Sequence, residues 1–181
     1  DFGIITTIGV AHLEFFMSTD NIFLEIRSLF DYIANRSNEE KRFFVLNDDD
    51  SYLSTLPKYD GLVSFSTTDK STYNVVVNNK CIKVVDNSNK YSITLENNNI
   101  VGEHNYKNLA CCYLMAKQIF NDHEKELIES AKNFMPTKNR SELVTIEGKK
   151  YFCDAYNANP SSMKASIESF IEYCAELNVS V

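Results

Sequence analysis

Two rhythms of apolar and polar positions run along the chain. Residues 2–8, Phe-Gly-Ile-Ile-Thr-Thr-Ile, form a short continuous run rich in β-branched side chains, the pattern of a strand buried on both faces of a parallel sheet. Behind it, Ser18, Thr19 and Asp20 are cap-type residues, and Ile22, Ile26, Leu29, Phe30 and Ile33 recur at helical spacing, which predicts a strand, loop, helix unit. The runs 42–47 and 61–66 repeat the short-strand signal, with polar, turn-rich segments at 47–51 and 57–60.

Residues 73–95 change character. Three β-rich runs are separated by asparagine-rich turns, and asparagine tolerates positive φ, so an antiparallel meander is expected. A helix follows at about 106–120, with Leu109, Cys112, Tyr113, Ala116, Ile119 and Phe120 on one stripe, and another near 124–134 that Met135-Pro136 ends. Short strands at 143–146 and 150–153 flank Gly148 as a hairpin. Asn159-Pro160 then opens a last helix with apolar positions Met163, Ile167, Phe170, Ile171 and Cys174. A further strand is expected to begin as the chain reaches Val181. The fold class is α/β: a mostly parallel sheet with a small antiparallel meander, followed by the start of a second α/β domain.

Composition narrows the function. The net charge of -7 over 181 residues argues against a nucleic-acid partner, which usually demands a basic face. No apolar run approaches a membrane span of roughly 20 residues, and no secretory leader is visible, so a cytoplasmic protein without a membrane partner is expected. Cys81, Cys111, Cys112, Cys153 and Cys174 lack metal or disulfide spacing and read as reduced core residues. The chain starts at Asp1 and enters a strand within one residue, so a fragment of something longer is expected.

Three segments could carry chemistry. His12 and Glu14 lie at a strand's carboxyl end, where ligands gather in such sheets, and an imidazole with a carboxylate could bind a divalent metal or move a proton. A capped strand end is the plainer alternative. In 102–108, Gly-Glu-His-Asn-Tyr-Lys-Asn, Asn105 and Asn108 share a helix face and could read the edge of a planar base; capping by Asn105 would explain half of this. In 154–160, Asp-Ala-Tyr-Asn-Ala-Asn-Pro, a carboxylate, a phenol and two amides precede a helix N-terminus. Asn159 suits an N-cap, whereas Asp154, Tyr156 and Asn157 have no such routine explanation. Arg140 is an isolated loop cation.

In order and spacing, these segments together resemble the Mur ligase family, most closely the branch that adds D-alanyl-D-alanine to UDP-N-acetylmuramoyl-tripeptide. The resemblance implies that residues 1–142 are the later part of an ATP-binding central domain and 143–181 the beginning of a C-terminal domain. It implies ATP and Mg2+ as cofactors, amide formation through an acyl phosphate, and a monomer. By the same resemblance His12 helps hold magnesium beside the reacting phosphoryl group, with Glu14 close by. Asn105 and Asn108 meet the adenine, Arg140 the phosphates and Asp154 the ribose. Tyr156 falls at the nucleotide, and Asn157, Asn159 and Ser162 fall on the substrate side.

The chain also departs from that pattern. No GxxxxGK[ST] phosphate loop occurs, so the loop is expected upstream and the fragment alone is expected to be inactive. Ile26 occupies the place of a lysine that the family carbamylates to support magnesium, and Met17 that of a glycine. A degenerate nucleotide- or partner-binding module without catalysis, and another Mur or folylpolyglutamate-type ligase, are the alternatives.

Overall fold

The computed structural model describes residues 1–36, 41–68, 70–78, 80–88, 91–156 and 158–178. Asn157 and the strand expected near Val181 lie outside them. Among the described residues, six strands form one sheet in chain order. These are β1 (Phe2–Ile5), β2 (Phe43–Asn47), β3 (Leu62–Ser66), β4 (Tyr73–Asn78), β5 (Cys81–Asp86) and β6 (Ser92–Glu96). β1 to β4 pair in parallel, and β4 to β6 form the antiparallel meander. The helices are the single turn α1 (Leu13–Phe16), α2 (Thr19–Ala34), α3 (Glu103–Ile119), α4 (Glu124–Asn133) and α5 (Pro160–Glu176). A separate hairpin joins β7 (Glu142–Ile146) to β8 (Lys149–Cys153).

The β3–β4 junction shows how connection length sets register. A full parallel pairing needs a crossover of a dozen or more residues. Here β4 starts level with the end of β3, and only Phe65↔Tyr73 and Ser66↔Asn74 pair. The sheet therefore slides sideways into the meander.

β1 is shorter than the run 2–8 and is not buried on both faces. Gly3 and Ile5 are buried while Phe2 and Ile4 are exposed. The strand sits at the sheet edge with α2 over one face, so close that a Cβ on Gly3 would lie 2.5 Å from Phe44 and 2.7 Å from Ile33. It ends after Ile5 because Asp50 captures the next polar groups. Its Oδ2 accepts from Thr7 Oγ1 at 3.0 Å and from the Ile8 amide at 2.8 Å, in place of a ladder partner.

Two apolar clusters support the sheet. One packs Ile22, Phe30 and Ile33 of α2 on Ile5, Phe44 and Leu46. The other packs Ala110, Cys111 and Leu114 of α3 on Val45, Phe65, Val75 and Leu95. The expected α3 stripe overlaps this face, with Tyr113 in the cluster and Leu109 and Ile119 packed against it, and Leu109, Cys112, Tyr113 and Ala116 also line a cavity. The helix has apolar neighbours on two sides, and the stripe touches both. All five cysteines are free, but only Cys111 and Cys174 are buried; Cys112 is exposed, so the core expectation fails there.

The hairpin turn carries Glu147 at φ 50° and Gly148 at φ 77°, the two positive angles a two-residue turn needs to match strand twist. In α5, Asn159 accepts from the Ser162 amide at 2.9 Å while its own amide donates to Ser162 Oγ at 3.1 Å, a reciprocal cap. The buried face of α5 is Ser166, Ser169 and Cys174; Met163, Ile167 and Ile171 remain exposed, contrary to the apolar-face expectation.

Candidate active site

The N-terminus of α3 separates two cavities. The helix begins at Glu103, three residues before the sequence pattern suggests, with Gly102 at the cap position. Asn105 is therefore inside the first turn and does not cap it; its amide donates to the Val101 carbonyl at 2.7 Å.

The first cavity, about 330 Å³, lies between α3 and α4. Its walls are mostly apolar, with Ile100, Leu109, Ala116, Leu127 and Phe134 among them, and Asn105, Asn108 and Arg140 supply polar groups. Shape and lining suit a flat, largely apolar ring read by one or two polar contacts. Asn108 is exposed on the helix. Arg140 comes from the loop between α4 and β7, and its guanidinium lies 3.7 Å from the centroid of the Tyr156 ring. That loop is tied to the end of β8: the Asn139 carbonyl accepts from the amides of Ala155 at 3.1 Å and Tyr156 at 3.3 Å. The Ser141 amide donates to Asp154 Oδ1 at 3.2 Å.

The second cavity, about 630 Å³, brings together the loop after β1, α2, the start of α3 and the start of α5. His12, Glu25, Ile26, His104, Asn159 and Ser162 line it. His12 takes a left-handed conformation, φ 59°, because it caps α1, its carbonyl accepting from the amides of Phe15 at 3.0 Å and Phe16 at 3.1 Å. Burial pushes the His104 imidazole below its ordinary pKa, against the opposing pull of Asp154 and Glu103.

The candidates thus fall into two groups. Asn105, Asn108 and Arg140 line the first cavity; His12, Asn159 and Ser162 line the second. Asp154 and Tyr156 line neither of these two and instead hold the Arg140 loop. Glu14 does not line the His12 cavity either, because α1 turns it aside; Glu25 of α2 takes that place. Pattern reading missed Glu25 and His104. Glu25 is one residue from Ile26, which marks both the apolar stripe and the place of the family's lysine, and His104 lies within the segment 102–108, immediately before Asn105.

Among the described residues no group of three or more histidine, cysteine, aspartate or glutamate side chains is placed to hold a metal ion. Ile26 brings an aliphatic wall to the His12 cavity, and magnesium asks for several oxygen ligands. Among the described residues that cavity offers a cation the His12 imidazole and the Glu25 carboxylate, and no third such group beside them.

A mostly parallel sheet with helices against it, and a cavity just beyond the carboxyl end of β1, define an α/β domain. The chain belongs to the Mur ligase middle domain family, whose model matches residues 1–116. Its fold is similar to MurF from Acinetobacter baumannii, at TM-score 0.70 and 16% identity, over 93% of this chain and 37% of that one. A MurF ligase from Thermotoga maritima in complex with ADP is similar at TM-score 0.68 and 18% identity, over 94% and 39%. An FPGS of L. casei is similar at TM-score 0.65 and 13% identity, over 95% and 42%. The chain thus spans well under half the length of these structures. No curated protein matches the chain.

Proposed function

We propose that this chain is part of an ATP-dependent amide ligase that adds D-alanyl-D-alanine to UDP-N-acetylmuramoyl-tripeptide. In this reading residues 1–142 belong to the nucleotide-binding domain and 143–181 to the domain that closes over it; β7 itself starts at Glu142. The observation that carries the proposal is the first cavity, an apolar slot with an amide and a cation among its lining groups. ATP, when bound, supplies the phosphoryl group that turns a carboxylate into an acyl phosphate, which the incoming amine then attacks, releasing phosphate. The walls of α3 and α4 take the base, and Asn108 offers both a donor and an acceptor to its edge. Arg140 meets phosphate oxygens, where a fixed guanidinium fork stabilises gathering negative charge. Closure of the second domain over the first serves to exclude water that would hydrolyse an acyl phosphate.

The test uses the full-length protein. Calorimetric titration with ATP is expected to show binding that Asn108→Ala weakens about tenfold, as loss of one or two hydrogen bonds would. Unchanged affinity would remove the first cavity from the nucleotide's path. A ligation assay comparing D-alanyl-D-alanine with single amino acids then distinguishes this activity from a folylpolyglutamate-type one. A second reading, a nucleotide-binding module without catalysis, is favoured by Ile26 in the His12 cavity and by the lack of a metal-competent cluster among the described residues. It predicts ATP binding with no ligation of any amine.

A further inference from the structure

Arg140 presents an unusual balance. Its loop holds two non-glycine residues in the left-handed region, Asn139 at φ 62° and Ser141 at φ 49°. Such conformations persist only where surroundings fix them. Here the fixing comes from the end of β8, through the Asn139 carbonyl and the Ser141 amide. Ser141 is buried although Asn139 and Arg140 before it are exposed, so the loop is seated at that residue and presents Arg140 outward.

The side chain is then held by its flat face alone. The guanidinium stacks on Tyr156 at 3.7 Å, and among the described residues it forms no salt bridge and no side-chain hydrogen bond. Its N–H edge is uncommitted while its orientation is not free. A stacked guanidinium keeps all its in-plane donors available for a planar or tetrahedral anion. Tyr156 is two-thirds exposed and does not line the cavity that Arg140 lines. Its ring is therefore placed to hold the cation rather than to touch the cavity's occupant.

We infer that Tyr156 is a positioning residue that fixes the Arg140 guanidinium for the anionic part of the molecule in the first cavity. The inference rests on the proposed nucleotide reading of that cavity and adds to it a division of labour. The anion's affinity depends on an aromatic ring it does not contact, and the base's affinity does not.

The experiment titrates the full-length protein with ATP and with adenosine by calorimetry. It compares the unsubstituted chain with Tyr156→Phe, Tyr156→Leu, Arg140→Ala and the Tyr156→Leu/Arg140→Ala pair, all checked for an unchanged thermal midpoint. Tyr156→Leu is expected to weaken ATP about two- to fivefold, the size of an exposed cation–π contact, and to leave adenosine unchanged. Tyr156→Phe keeps the ring and should restore ATP affinity. The pair should be no weaker than Arg140→Ala alone, because the ring acts only through the cation. Equal loss of ATP and adenosine in Tyr156→Leu, or additive losses in the pair, or no loss at all, would overturn the assignment. Should the unsubstituted protein bind neither ligand, the nucleotide reading itself fails and takes this one with it; binding of adenosine with no effect of Tyr156→Leu on ATP sinks only the positioning role.

Discussion

The sheet of β1 to β6 and the hairpin with α5 solve the same problem to different degrees. In the first region, helices cover apolar strands closely enough that Phe30, Phe44, Phe65, Leu95 and Leu114 are all fully buried. In the second, two strands and one helix leave Ile146, Tyr151, Met163, Ile167 and Ile171 exposed, and the helix buries two serines and a cysteine. Here the hairpin and its single helix bury few large apolar side chains of their own. The difference teaches where order comes from: the first region is held by packing, the second by caps, turns and its contact with the start of α3. Of the two cavities, the one that His12 lines spans both regions.

The largest test of this contrast is truncation in each region. Leu114→Ala should cost about 3 kcal/mol in urea unfolding, because a fully buried leucine leaves a cavity, whereas Ile167→Ala, half exposed, should cost no more than about 0.5 kcal/mol. Comparable costs would erase the distinction between the regions. Next is the contact itself. Gly102 has φ 91°, and a Cβ there would collide with Ser169 Oγ of α5, so Gly102→Ala should destabilise by about 1–3 kcal/mol. Hydrogen exchange should show the loss concentrated in α5 amides; uniform loss over both regions would contradict a local seat.

A smaller effect is expected from His104, which lies beside that contact. Its folded pKa is below the ordinary 6.5 because burial disfavours the charged ring, with Asp154 and Glu103 opposing. The unfolded chain therefore binds more protons as pH falls through 6.5 toward the folded value, and stability should decline over that window and be full above it. His104→Gln should flatten this part of the profile; an unaltered slope would assign it elsewhere. The smallest is Met17, 85% exposed at φ 65°. Met17→Gly should relieve left-handed strain and stabilise by about 0.5 kcal/mol, the gain reduced by glycine's freedom in the unfolded chain. A loss of stability would mean that the methionine side chain contributes packing.

Much of this was legible in the sequence. The period of α2, the asparagine turns of the meander and the Asn159-Pro160 start of α5 are local signals, and local energetics decides them. What escaped depends on neighbours distant in sequence. Nothing in 2–8 reveals that Asp50 will end β1, nor in the α3 stripe that α4 and a cavity lie beside it as well as the sheet. The candidate site was legible as segments and not as geometry. Asn108 and Arg140 line one cavity, although pattern alone made Arg140 an isolated loop cation, whereas Glu14 was chosen for nearness in sequence to His12, and Glu25 lines the His12 cavity in its place. The glycine-like angle at Met17 gives a physical meaning to that departure: the backbone keeps a conformation that glycine adopts at little cost.

The abrupt register slide between β3 and β4 has a consequence for the order in which the molecule assembles. β4, β5 and β6 are neighbours along the chain, so their pairing closes only short loops, whereas β1 must wait for β2 across the whole of α2. Because β3 and β4 share just two residue pairs, the meander can zip up without the parallel half being present. Pulse-labelled exchange during refolding should then protect the Val84 amide before that of Val45, even though both side chains end almost equally buried. Simultaneous protection would mean that the two halves nucleate as one.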